Sequence, residues 1–248
     1  MPAHILMAGL LCLFLAHPAG AEEVRVAMAS NFAAAMKALK PAFERQSSHR
    51  LVISSGATGR LHAQIVHGAP FDVFLAADAA RPRRLEAEGR IVPGSRFTYA
   101  LGRLVLYSRR AKLAGRRLRQ ALSAPAPARL AMANPRLAPY GRAARQALSR
   151  LGLWEGLKGR IVLGENVAQA FHFVQSGAAD VGLVALSQVR ALPGGERGAF
   201  LPVPEALHAP IRQQAVLLQG RPGAKAFLAF LRSRAARAII RAAGYGTP

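Results

Sequence analysis

Val24-Arg25-Val26-Ala27-Met28-Ala29-Ser30-Asn31-Phe32 begins with alternating apolar side chains, passes through a small polar turn, and is followed by Met36, Leu39 and Phe43 at helical spacing from Phe32 through Glu44. A period of two giving way to a period of 3.6 across so short a turn is a β-turn-α unit. The pattern recurs. Leu51-Val52-Ile53 reads as a second strand, and a helix opening at Thr58 carries Leu61 and Ile65 on its apolar face. Phe71-Asp72-Val73-Phe74-Leu75 is nearly continuous in apolar residues, as expected of a parallel strand covered on both faces. Strands and helices in alternation predict a wound α/β sheet.

Beyond Gly89 the pattern loosens. Tyr99 to Tyr107 reads as one long strand with a glycine interruption at Gly102, suited to crossing between two lobes. A second β/α series follows: strand Leu130-Ala131-Met132, helix Arg142 to Leu151, strand Ile161-Val162-Leu163, helix Val167 to Gln175, strand Val181-Gly182-Leu183-Val184. Pro-rich Leu201-Pro202-Val203-Pro204 is expected to form the return crossover, and Gln214 to Leu218 a further strand. A final helix from about Pro222 is expected to bury Phe227, Phe230 and Leu231 together with Ala235 and Ala238. The expected organisation is residues 22–101 and 207–248 in the first lobe and 102–206 in the second, with a ligand cleft between them. Ligands of open α/β sheets lie beyond the carboxyl ends of the strands.

Four turns fall at such strand ends: Ala29-Ser30-Asn31-Phe32, Gly56-Ala57-Thr58-Gly59-Arg60, Asn134 to Gly141, and Gly164-Glu165-Asn166-Val167. Each precedes an amphipathic run and offers free backbone N–H groups at the positive end of a helix dipole. Together they point to an oxyanion held without a charged side chain. Taken singly, Ser30 and Thr58 read as ordinary helix N-caps, Tyr140 as a packed aromatic and Val167 as a helix residue of no special role.

The 248 residues carry 34 Lys and Arg against 12 Asp and Glu, for a formal charge of +22. The basic residues are scattered, aromatics do not interleave with them, and no recognition helix, zinc knuckle or RNP-type pattern is present, which argues against nucleic acid as partner. An enzyme is disfavoured too: there is no G-x-S-x-G elbow, no P-loop, no G-x-G-x-x-G after a strand and no H-E-x-x-H. Residues 1–21 read as an export signal, with an apolar run from Ile5 to Leu15 and the small-x-small Ala19-Gly20-Ala21 before Glu22. That run is shorter than the ~20 residues a membrane anchor needs. The sole cysteine, Cys12, lies inside the signal, a poor lipoprotein site, and cleavage leaves a chain with no thiol, disulfide or cysteine metal site.

These residues resemble, in order along most of the chain, the periplasmic molybdate-binding proteins of ABC transporters. The likeness rests on Ala27-Met28-Ala29-Ser30-Asn31 with Ala34-Ala35-Met36, and on Ser55 to Leu61 with Gln64-Ile65. It continues through Gly68 to Asp78, the Asn134-Pro135 to Tyr140-Gly141 turn, and Gly164 to Val167. The resemblance implies a type II periplasmic binding protein fold closing on molybdate, and on tungstate, with no further cofactor and no protein ligand to the metal itself. It implies a monomer that delivers its ligand to an ABC permease. It further implies that Ser30 and Thr58 bond the oxyanion by hydroxyl and backbone N–H, that Asn31 adds an amide, and that Tyr140 and Val167 complete the cage, Val167 by its N–H. Some relatives place a tyrosine hydroxyl where this chain has Ala185, so the Tyr140 hydroxyl is assigned here as the substitute donor. Two rivals stay open: the same fold binding sulfate or an organic acid, and a secreted cationic protein that binds polyanions through its surface.

Overall fold

The computed structural model describes residues 21–110 and 113–248; residues 1–20 of the expected signal peptide, Cys12 among them, lie outside the described residues. The first β/α series gives β1 (Glu23–Ala29), α1 (Ala33–Gln46), β2 (Arg50–Gly56), α2 (Thr58–Val66), β3 (Val73–Ala76), α3 (Ala80–Ala87) and β4 (Phe97–Gly102). The second runs β5 (Leu104–Ser108), α4 (Leu118–Ser123), β6 (Leu130–Ala133), α5 (Pro139–Arg150), α6 (Trp154–Leu157) and β7 (Ile161–Gly164), then α7 (Val167–Gln175), β8 (Val181–Ala185), α8 (Leu186–Arg190) and β9 (Ala199–Pro202). The chain then returns through β10 (Ile211–Leu217), α9 (Pro222–Arg232) and α10 (Arg234–Ala242).

Two five-stranded sheets result, in the orders β2-β1-β3-β10-β4 and β7-β6-β8-β5-β9. They share one plan. β1 lies parallel to β2 and β3, and β6 lies parallel to β7 and β8. In each sheet one strand that follows a crossover, β10 or β5, runs antiparallel to its neighbours. The central strands are buried on both faces, which is why Val73 to Ala76 and Leu130 to Ala133 carry no polar residue. The first lobe's core closes on Phe32, Phe43 and Phe227, with Phe43 and Phe227 ring centroids 5.2 Å apart and edge-on. Each buried phenylalanine contributes about 1.5–3 kcal/mol relative to exposure. That outweighs the penalty of Pro41 inside α1, since Leu39 and Phe43 on either side are fully buried.

The expected long strand from Tyr99 to Tyr107 is two strands. β4 pairs with β10 in the first sheet and β5 with β8 and β9 in the second, so Gly102 and Arg103 form the crossover. Gly102 is required there: a Cβ would stand 2.4 Å from the Tyr140 hydroxyl and 2.8 Å from Gln213 Nε2.

Two further expectations are corrected. Leu201 and Pro202 belong to β9, the edge strand paired with β5, and the crossover begins only at Val203; proline is tolerated at an edge-strand end. The final helix is broken at Ser233, whose Oγ accepts the Ala236 N–H at 3.1 Å and starts α10 afresh. The break resets the helical phase, so Ala236 and Ile240 are buried while Ala235 and Ala238 are exposed. Among the described residues no helix is long and apolar enough to cross a membrane.

Candidate anion-binding site

The four turns lie at the carboxyl ends of β1, β2, β6 and β7, and the two sheets bring these ends together. The lobes are closed on one another. Gly59 N–H donates to Leu137 O at 2.8 Å, Ser187 Oγ donates to Asn31 O at 3.0 Å, and Arg60 pairs with Glu165 at 2.7 Å, each joining the first sheet's half to the second's. Ser30, Asn31, Thr58, Tyr140 and Val167 are all 7% exposed or less, so the helix starts they occupy are shut away from bulk water.

What fills the N-cap positions is unusual. The caps of the turn at Ser30, of α2 and of α5 are Ala29, Ala57 and Ala138, none offering a side-chain acceptor and all buried. A buried helix start without a side-chain cap leaves donors with no intrahelical partner; the Gly59 N–H is met across the cleft by Leu137 O, and the remaining donors are placed to bond an acceptor from outside the chain. Ser30 and Thr58 therefore do not act as N-caps; each stands one residue past the cap. The Thr58 Oγ1 accepts the Ala77 N–H at 3.2 Å, and its own proton remains for another acceptor. α7 differs, because Asn166 Oδ1 caps it by accepting from Ala168 and Gln169 at 2.9 and 3.1 Å. That cap serves the second and third helical N–H groups and leaves the first, that of Val167.

Two assigned roles change. The Asn31 side-chain amide is engaged within the protein, donating to Gln213 Oε1 at 2.8 Å and to the Tyr245 hydroxyl at 3.0 Å, so only its backbone N–H is left for a ligand. The Tyr140 hydroxyl points to the crossover, where it accepts from Gln213 Nε2 at 3.4 Å beside Gly102. It is not a substitute for the missing hydroxyl at Ala185; the second-helical-position N–H of Tyr140 is the group left at the cleft. Burial pushes the Tyr140, Tyr99 and Tyr245 hydroxyls well up, so all three stay protonated at any physiological pH. Ala185 itself ends β8, and its N–H donates to Gln188 Oε1 at 3.0 Å while Gln188 Nε2 donates to Val167 O at 3.1 Å. Gln188 thus ties the start of α7 to the start of α8.

Charged side chains stand at the rim and are paired with one another. Asp78 Oδ2 binds Arg81 at 2.5 Å in its own lobe and Arg142 at 2.6 Å from the opposite one, and Asp78 Oδ1 accepts the Arg81 N–H. Asp72 and Asp78, the two acids within the Gly68 to Asp78 stretch, differ in role. Asp72 bonds within its own lobe, to the Arg25 N–H at 2.7 Å and Arg221 at 3.4 Å, whereas Asp78 joins the lobes through Arg142.

A pair of α/β lobes joined by crossovers and closed over buried helix starts without side-chain caps defines a solute-binding protein. The chain belongs to the bacterial extracellular solute-binding protein family, whose profile matches residues 24–246. It is similar to the molybdate-binding protein ModA of Azotobacter vinelandii, at 45% identity over 94% of this chain and 93% of that one. With ModA of Rhodobacter capsulatus the identity is 42%, over 96% and 93%. The solved structure of an Azotobacter vinelandii periplasmic molybdate-binding protein matches with a TM-score of 0.85 at 40% identity, covering 91% of this chain and 99% of that one.

Proposed function

We propose that this protein captures molybdate, and tungstate with it, between its lobes and delivers the anion to an ABC permease. The observation that carries the reading is the set of three buried helix starts capped by alanine, joined by the Val167 N–H that Asn166 leaves unused. The donors are the Ser30 and Thr58 hydroxyls and the backbone N–H groups of Ser30, Asn31, Thr58, Tyr140 and Val167. Four helix starts at about half a positive charge each are matched to a dianion. Neutral donors suffice because a buried anion is stable only when its oxygens are all bonded.

Selectivity follows from the same set. The five backbone N–H groups can only donate, and the Thr58 hydroxyl oxygen already accepts the Ala77 N–H, so the set favours a fully deprotonated oxyanion over a protonated one. A rigid cage sized for molybdate and tungstate leaves the smaller sulfate with stretched bonds. The word periplasmic in the name of the Azotobacter vinelandii structure and the small-x-small sequence at Ala19-Gly20-Ala21 support export to the periplasm with removal of residues 1–21; the mature chain is proposed to act as a monomer.

Calorimetric titration of residues 22–248 with molybdate, tungstate and sulfate tests this. Saturable one-to-one binding of the first two and no heat from sulfate is the expected result. Equal binding of sulfate, or silence from all three, would overturn it.

A further inference from the structure

Gln213 is fully buried on β10 beside the crossover, a place where a polar side chain costs free energy unless every group is bonded. Both ends of its amide are engaged. Its Oε1 accepts from Asn31 Nδ2 at 2.8 Å and from the Tyr99 hydroxyl at 3.1 Å, and its Nε2 donates to the Tyr140 hydroxyl at 3.4 Å. The backbone is shaped for this. The β4–β10 ladder slips between Gln213 and Gln214, pairing Gln213 with Ala100 and Gln214 with Thr98, so Tyr99 is the extra residue of a bulge. Bulges re-aim side chains, and here the residue added and the residue opposite it are bonded to each other.

We infer that Gln213 is a positioning residue for the oxyanion cage, setting the first lobe's Asn31 turn and the second lobe's Tyr140 helix start in one register when the lobes close. The inference rests on the oxyanion reading above. Asn31 is gripped from two sides: its amide by Gln213 and Tyr245, its carbonyl by Tyr245 at 2.6 Å and Ser187 at 3.0 Å. With side chain and carbonyl both held, the Cα from which its N–H projects is held in place. Tyr140 is a rigid lever with its hydroxyl held at Gln213 and its N–H at the cleft, so a shift at one end moves the other. Gln213 is hydrogen-bonded to both residues, and it lies on the strand that follows the second crossover.

The test compares wild type with Gln213→Met, Tyr140→Phe and the double variant, each titrated with molybdate and each unfolded without ligand. Gln213→Met keeps length and bulk while removing the bonds, and Tyr140→Phe removes one bond and leaves the Tyr140 N–H in place. The expected result is a molybdate affinity about ten- to a hundredfold weaker for Gln213→Met, mainly through faster dissociation, with the double variant no weaker than Gln213→Met alone. A purely structural role predicts lower stability with unchanged affinity in the folded protein, and that result would overturn the inference. Should Gln213→Met fail to fold, Tyr140→Phe decides: weakened binding supports the inference, and wild-type affinity defeats it. Additive losses would show that the two residues act separately and would also defeat it. A wild type silent to molybdate would instead remove the oxyanion reading, and this inference with it.

Discussion

Replacing Gly59 with alanine should move stability and ligand affinity in opposite directions. Gly59 is the second residue of α2, and alanine inside a helix is favoured over glycine by up to ~1 kcal/mol. In the closed protein, however, the new Cβ stands 2.8 Å from Leu137 O across the cleft, and 2.8 Å from Arg81 Nη2. The guanidinium is the end of a flexible chain and can give way. Leu137 O is backbone, and it also accepts the Gly59 N–H at 2.8 Å, so the lobes must part or that bond must bend. Overpacking of about 1–3 kcal/mol, with a hydrogen bond of about 0.5–1.5 kcal/mol weakened, gives about 1.5–4.5 kcal/mol against closure. That corresponds to a dissociation constant raised by about ten- to a thousandfold. Calorimetry gives the affinity and thermal unfolding without ligand gives the stability. An affinity within threefold of wild type would refute the reasoning, because Gly59 would then not lie at the surface along which the lobes close.

Other substitutions separate the parts of the site. Thr58→Val leaves the buried Ala77 N–H without its acceptor and removes a donor to the anion, so stability should fall by about 1–3 kcal/mol and affinity by about ten- to a hundredfold, whereas Thr58→Ser should restore both. Denaturant unfolding and titration of the two variants check this. Arg142→Ala should weaken molybdate binding several-fold, because it removes the cross-lobe partner of a buried carboxylate, while Arg60→Ala, breaking an exposed pair with Glu165, should change it less than about threefold. His62 on α2 has its pKa lowered, first by burial and then by Arg81 and Arg84, against smaller opposing effects of Glu88 and Asp78. A base whose folded pKa lies below its unfolded value contributes stability that is complete above the unfolded value near 6.5 and is lost as pH falls through the interval between the two. Urea unfolding below pH ~6.5 should therefore show a loss of stability that His62→Gln reduces; an unchanged pH profile in the variant would contradict it.

Much of the fold was legible because its periodicities are clean. Val24 to Phe43 switches from strand to helix spacing in one turn, and the all-apolar runs at Val73 and Leu130 admit only strands buried on both faces. The breaks were less visible. Ser233 interrupts a continuous helical pattern by capping α10, and Pro202 disguises an edge strand as a crossover, since in each case a local signal competes with a tertiary pairing. At the site, the turns announced themselves through glycine and small polar residues ahead of amphipathic runs. The division of labour within them did not. Whether the Asn31 amide faces a ligand or Gln213 depends on a residue 182 positions away, and the Tyr140 hydroxyl is drawn to the crossover by the same glutamine. Gln213, Ser187 and the Asp78–Arg142 pair left no motif because their partners lie on the other lobe or in a distant strand. The alanine caps were the overlooked signal, since alanine before Ser30, Thr58 and Pro139 removes the side-chain acceptor that a helix start ordinarily has.

The central claim concerns where the anion sits, and the most direct measurement is the anomalous scattering of tungsten in crystals of the tungstate complex. A single strong peak is expected between the lobes, with the oxygens about 2.7–3.1 Å from the N–H groups of Ser30, Asn31, Thr58, Tyr140 and Val167. A peak at an exposed arginine cluster, with none in the cleft, would contradict the claim and assign anion binding to the surface charge.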